Sequence, residues 1–285
     1  MTLSLDARLA DVQDMIRREP AVAGHRWSLF QLLCVTEQWE RAVQQLQVFA
    51  QLNPQQAQAA QAYRDLIRAE RWRAKVMSGQ AQPGFVLDPP VWVERLAESL
   101  GLAENGRQDA ADAMREAALD QAQLVRGVGK DQSFDWIADS DSRLGPVCEI
   151  ITAGRYRWLP FADIAAWEIA RPAALVDLVW APCLITLVDG AKVRGFMPAR
   201  YPAVAGTTHD NATLDALRLG NTTIWSDCGR TGVIAQGRKT WTSSVGDIGL
   251  FELDICTFGH DAARRPDDDN DTIAMHGEER VDGAA

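Results

Sequence analysis

The chain has 285 residues, 47% of them hydrophobic, with 39 acidic and 29 basic side chains for a formal charge of −10. Such a chain can bury a core of its own, and its acidic balance excludes a partner held by phosphate neutralisation, so nucleic acid is not expected. Cys34, Cys148, Cys183, Cys228 and Cys256 are odd in number and lack a Cys-x-x-Cys pair, while no apolar run reaches the roughly 18 residues of a membrane span, which together predict a reduced, cytoplasmic protein without disulfides, zinc or membrane contact.

From the N-terminus, Leu5, Leu9, Val12 and Ile16 are spaced four, three and four apart, which places them on one helical face, and Pro20 ends that helix. Two more helices are predicted over 24–33 and 38–52, the second with Trp39, Ala42, Val43, Leu46, Phe49 and Ala50 on one stripe. Their short join makes them antiparallel neighbours. Asn53 and Pro54 predict a capped fresh start for a long helix reaching Met77. Asp88-Pro89-Pro90 opens a fifth helix over 88–100, and an Ala-rich sixth is predicted over 108–125. The pair around 23–54 is similar to one tetratricopeptide unit, with Ala42 and Pro54 twelve apart. Arg26, Phe30 and Leu33 depart from that repeat, so the expectation is helical-hairpin architecture with a concave surface suited to a peptide helix.

Beyond Gly127 the glycines and prolines come closer together, helical stripes vanish and short apolar runs appear. Runs 184–188 and 191–197 around Asp189-Gly190 predict a hairpin, and 147–152 with 156–159 predict another around Ala153-Gly154. Further strands are expected over 164–169, 223–225, 233–236 and 248–254, with one inserted helix over 210–219 ended by Gly220. The predicted class is α+β: N-terminal TPR-like helical hairpins over 1–127, then a β-rich domain over 134–260 forming a small, partly open barrel. Between Arg264 and Ala285 three basic and seven acidic residues include Asp267, Asp268, Asp269 and Asp271, a composition that predicts an acidic disordered tail.

Residues 232–240, Gly-Val-Ile-Ala-Gln-Gly-Arg-Lys-Thr, approach a phosphate loop, but Arg238 separates Gly237 from Lys239 where that loop needs them adjacent. The reading is a β-hairpin turn. Asp135, Asp139 and Asp141 are close enough in sequence to suggest Mg²⁺ or Ca²⁺, yet the sixth position of an EF-hand loop counted from Asp135 is Ser140 and not glycine. The favoured alternative has the acids capping turns and pairing with Arg143 while Phe134 and Trp136 plug the domain junction. His25, His209, His260 and His276 are isolated and no Gly-x-Ser-x-Gly elbow occurs, so no catalytic residue, metal ligand or cofactor is assigned. Residues 63–76 carry five basic and two acidic side chains, read either as a positive stripe for an acidic partner or as a solvated face with weak Asp65–Arg68 and Glu70–Arg73 pairs.

The run 63–76, Phe-Asp-Trp-Ile-Ala-Asp-Ser-Asp-Ser-Arg-Leu-Gly-Pro at 134–146 and Gly-Arg-Tyr-Arg-Trp-Leu-Pro-Phe at 154–161 carry a family likeness. So do Asp-Leu-Val-Trp at 177–180, Pro-Ala-Arg-Tyr-Pro at 198–202 and Leu-Arg-Leu-Gly at 217–220. Together these segments resemble the ImpE/TagJ (HsiE-like) family of type VI secretion accessory proteins. That resemblance implies a non-catalytic adaptor that binds the small contractile-sheath subunit and the AAA+ ATPase that disassembles contracted sheaths. The expected mode is an amphipathic helix of the sheath subunit seated in a groove, with Trp72, Trp92, Phe134, Trp136 and Tyr201 as anchors and Arg143 and Arg200 as polar fixers. A metal- or nucleotide-binding regulator using Asp135, Asp139 and Asp141 or the 232–240 turn is the alternative.

Overall fold

A computed structural model describes residues 3–204 and 206–259. Six helices come first: α1 (Leu5–Arg18), α2 (Ala23–Val35), α3 (Trp39–Leu52), α4 (Ala57–Met77), α5 (Val91–Glu104) and α6 (Gln108–Leu119). The Ser4 hydroxyl caps α1 by accepting from the Ala7 amide at 3.2 Å. Val35 and Trp39 are separated by a turn in which Glu37 takes φ 59°, and Trp27 of α2 meets Phe49 near the far end of α3, so the two helices run antiparallel. Trp27 also packs on Phe30 and Tyr63, which brings α4 onto the hairpin.

Several helix boundaries differ from expectation: α2 runs on to Val35 and α5 spans Val91–Glu104 in place of 88–100. Pro54 opens a single 3₁₀ turn over Pro54–Gln56 and the Asn53 side chain caps nothing, because Pro54 satisfies the φ requirement and removes one free N–H by itself. The sixth helix stops at Leu119 and not near 125, since the residues after it lack an apolar stripe to bury.

Strand β1 (Gly84–Phe85) lies between α4 and α5, and β2 (Gly127–Gly129), β3 (Ser133–Phe134), β4 (Ile137–Asp139), β5 (Val147–Thr152), β6 (Arg155–Pro160), β7 (Ile164–Ile169), β8 (Trp180–Leu187) and β9 (Lys192–Pro198) follow α6. Helix α7 (Asn211–Arg218), capped by Asp210, precedes β10 (Thr223–Cys228), β11 (Gly232–Gly237), β12 (Thr240–Ser243), β13 (Gly246–Gly249) and β14 (Ile255–Phe258). The stretch 248–254 is therefore not one strand but the end of β13, a 3₁₀ turn at Leu250–Glu252 and the approach to β14.

Nine strands form one sheet in the order β1-β6-β5-β9-β8-β7-β14-β2-β3. Its end strands do not pair with each other, so among the described residues the sheet is open and no barrel closes. A three-stranded sheet, β13-β12-β4, and the β10–β11 ribbon complete the set. The ribbon's turn docks on α6, where the Arg230 amide donates to Asp112 at 2.7 Å and Arg115 donates to the Thr231 hydroxyl at 2.9 Å.

Both faces of the central sheet are covered, which explains its continuous apolar runs. Val147, Ile151, Tyr156 and Trp158 join the helices in one hydrophobic cluster, whereas Cys148, Ile150, Leu159 and Ile185 belong to a second cluster with Trp167 and Trp241. Strand alternation thus sends Glu149 to the helix-facing side with Val147 and Ile151. β1, which interrupts the helical half, pairs in parallel with β6 at Gly84 and Arg157 and ties that half to the sheet. Gly195 is required where β9 passes β5, because a Cβ there would lie 2.5 Å from the Ile151 carbonyl oxygen.

Candidate functional site

Helix α4 presents two opposed faces, and each organises a different set of charges. Arg64, Arg68, Arg71 and Lys75 are four, three and four apart, so they form one stripe, while Glu70 and Arg73 lie on the other side of the helix toward the sheet.

On the inner side Arg73 is fully enclosed and donates through Nε and Nη2 to both Glu149 oxygens, at 2.6 and 2.9 Å, and through Nη1 to Glu70 at 2.9 Å. The Tyr156 hydroxyl donates to Glu149 Oε1 at 2.6 Å, and the Trp158 indole donates to Tyr156 at 2.6 Å. Lys239 Nζ lies 2.5 Å from Glu149 Oε2 and also pairs with Asp139, under the rings of Tyr201 and Trp241. Tyr201 donates to Asp139 Oδ1 at 2.7 Å and accepts from the Thr240 amide at 3.2 Å. Asp141 closes the chain by binding Arg143 at 2.6 Å and the Ala235 amide at 3.1 Å.

Burial pushes Asp139 up to about 6, against the pull of Lys239 and with help from nearby Glu149 and Asp141. Burial alone would raise Glu149 as well, but Arg73 and Lys239 overcome it and hold this carboxyl well below its ordinary range. Two carboxylates one ammonium apart therefore titrate in opposite directions, as expected when one has two cationic partners and the other shares one.

This arrangement accounts for several sequence features. Asp141 pairs with Arg143 and accepts the Arg143 amide at 3.0 Å, as the turn-capping reading expects. Asp139 instead pairs with Lys239, and Asp135 is exposed with Arg126 3.5 Å away, so the three acids do not converge. The 232–237 part of the phosphate-loop-like run is strand β11, and its lysine is enclosed among carboxylates, out of reach of a solvent-borne phosphate. The Glu70–Arg73 pair, expected on a solvated face, is buried; Asp65–Arg68, at 3.2 Å, is exposed.

On the outer side a shallow groove of about 380 Å³ is lined by Val43 of α3 and by Ile67, Trp72 and the cationic stripe of α4. Trp72 is 47% exposed, with its indole N–H held by the Gln82 carbonyl at 3.1 Å. Arg71 reaches Glu40 across the groove at 3.3 Å. Residues expected to contact a partner are thus dispersed. Trp72 lines the groove; Trp92 packs half-buried on the helical core; Trp136 and Arg143 are half-buried elsewhere. Phe134 packs on Phe258, Tyr201 lies in the ionic network, and Arg200 donates to the carbonyls of Val35, Cys34 and Arg218 at 2.6, 2.9 and 2.8 Å. These three support the framework. At the centre of the network, Glu149 carried no local sequence signal, and Lys239 drew notice only as the lysine of the phosphate-loop-like run.

Helical hairpins packed on a two-sided sheet define an α+β fold that a solved structure shares. The family model described as ImpE protein matches residues 131–257. The type VI secretion system accessory component TagJ of Pseudomonas aeruginosa is 37% identical over 249 residues, 87% of this chain and 85% of that protein. The crystal structure of protein VPA1032 from Vibrio parahaemolyticus superposes with a TM-score of 0.80 at 25% identity, over 90% of this chain and 94% of its own. The chain belongs to the ImpE/TagJ family of type VI secretion accessory proteins. No helix among the described residues is long and apolar enough to cross a membrane.

Proposed function

We propose that this chain is a non-catalytic cytoplasmic adaptor that seats the N-terminal amphipathic helix of the small sheath subunit in the α3–α4 groove and also contacts the AAA+ ATPase that disassembles contracted sheaths. The observation that carries the binding mode is the groove itself, where half-buried Val43 and exposed Trp72 offer apolar contact to a helix face beside a cationic rim that fixes its polar edge. Family membership carries the choice of partners.

The TPR-like hairpin α2–α3 and the divisions 1–127, 134–260 and 264–285 belong to this proposal as well, with the helical part as the docking platform. His260, His276 and the acidic segment lie outside the described residues. Charged residues that would serve metal or nucleotide chemistry are committed to one another: Lys239 is shared by Asp139 and Glu149, and Asp141 is taken by Arg143 and a backbone amide.

Co-purification tests the proposal. The full chain should retain the cognate small sheath subunit and lose it when that subunit's N-terminal helix is removed; equal retention of the truncated subunit would contradict the helix-in-groove mode, and retention of neither subunit nor ATPase would contradict the adaptor.

A further inference from the structure

In a chain of formal charge −10, the four cations of the α4 stripe stand out, and they lie where the chain's own most acidic segment can reach them. Strand pairing sets the geometry. β14 runs antiparallel to β7, β7 to β8, β8 to β9 and β9 to β5, so Gly259 leaves the same end of the sheet at which the Ala153-Gly154 turn joins β5 to β6. That turn rests on α4: a Cβ at Gly154 would lie 3.1 Å from the Asp65 side chain and 3.5 Å from the Arg68 guanidinium.

β14 and β5 are four strand spacings apart in the sheet order, about 19 Å at ~4.8 Å each. The eight residues from Gly259 to Asp267 reach at most about 26–29 Å. The stripe from Arg64 to Lys75 is about 16 Å long at 1.5 Å per residue, and the run Asp267, Asp268, Asp269, Asn270, Asp271 matches it closely when extended. Exposed Lys192, Arg194 and Arg155 mark the way along this sheet end, where Asp163 and Asp189 are the opposing acids. Within the groove Arg68 pairs with Asp65 and Arg71 with Glu40, exposed contacts that cost little to exchange.

We propose that the acidic segment 267–271 of this chain docks on the Arg64, Arg68, Arg71 and Lys75 stripe and competes there with whatever partner enters the α3–α4 groove. The proposal rests on that groove as a binding surface and not on which partner fills it. Tethering gives the segment an effective concentration in the millimolar range, so it acts as a built-in competitor that a partner must displace.

The test uses a fluorescently labelled peptide of residues 262–275 titrated by anisotropy into the full chain at low salt. The peptide should bind a D267N/D268N/D269N/D271N chain at least tenfold more tightly than the parent, whose own segment holds the groove. Adding R64S/R68S/R71S/K75S to the neutralised chain should abolish binding; Arg68, Arg71 and Lys75 are exposed and Arg64 half-buried, and unchanged circular dichroism verifies the fold. Equal affinity for parent and neutralised chains, binding that survives loss of the stripe, or no binding to any form would overturn the proposal. No sheath subunit is present, so this result is independent of the partner assignment.

Discussion

Lys239 and Glu149, ninety residues apart, meet at 2.5 Å with neither side chain more than 1% exposed. Arg73 grips the same carboxylate from α4, so one buried anion joins the helical half, strand β5 and the segment entering β12. Removing a member of such a set leaves an uncompensated charge that costs more than the pair contributes when whole.

Lys239→Met should therefore destabilise the chain by about 3–5 kcal/mol, since Asp139 loses its cation and Glu149 one of its two. Urea denaturation followed by tryptophan fluorescence measures it. A loss below about 1 kcal/mol would mean the network contributes little to holding the halves together.

The opposite shifts of Asp139 and Glu149 predict a distinctive pH dependence. Asp139 rises from 3.8 to about 6, so the folded state binds the extra proton between those values, and this group's contribution falls as pH climbs through the window. Glu149 is depressed, so its contribution is present above its ordinary value of 4.5 and is lost on further acidification. Asp139→Asn should flatten stability between pH 4 and 6 while leaving the acid limb intact; Glu149→Gln should remove stability at neutral pH. Denaturation midpoints from pH 3 to 8 distinguish the two.

Arg200 caps two helix C-termini at once, through the carbonyls of Cys34 and Val35 from α2 and Arg218 from α7, and lies 3.6 Å from Glu37. A lysine carries the charge but not the planar fork, so Arg200→Lys should cost about 1–3 kcal/mol. Hydrogen exchange should quicken at the end of α2 and over α7, ahead of the rest of the chain.

Gly195→Ala should weaken the passage of β9 over β5 by about 1–3 kcal/mol, because the new methyl meets the Ile151 carbonyl and the Ile150 side chain. Thermal unfolding checks it. Gly190, whose Cβ would meet nothing within 4 Å, is the control for space, though its φ of 86° retains a backbone cost.

Legibility in the sequence followed the length of the pattern. The stripe Leu5, Leu9, Val12 and Ile16 repeats over enough turns to define α1, and Asp189-Gly190 between two short strand-like runs defines the β8–β9 hairpin. β1, β2, β3, β4 and β12 span two to four residues, too few for alternation to register, and they exist through their partners. The same limit merged the end of β13, a 3₁₀ turn and the approach to β14 into one expected strand.

The site was legible in part for a related reason. Local spacing found the cationic stripe and the Asp141–Arg143 turn, both built within one element. It could not find that Arg73 faces Glu149 or that Lys239 faces Asp139, because those pairings depend on which faces of α4, β5 and β4 the fold brings together. Tyr201 and Arg200 looked like contact residues for the same reason: a polar tip on a large side chain reads alike whether its partner is another protein or the chain's own backbone.

Titration of the full chain with a synthetic peptide of the cognate small sheath subunit's N-terminal helix, beside the same titration of Trp72→Ala, tests whether the α3–α4 groove seats that helix. Trp72 is about half exposed at the groove and its indole bonds the Gln82 carbonyl, so its loss should cost about 1–2 kcal/mol, too little to unfold the chain. Saturable binding to the parent with a negative heat-capacity change is expected, with affinity at least tenfold weaker for Trp72→Ala at an unchanged circular dichroism spectrum. Equal affinity of the two proteins, or no heat from the parent at high micromolar peptide, would contradict it.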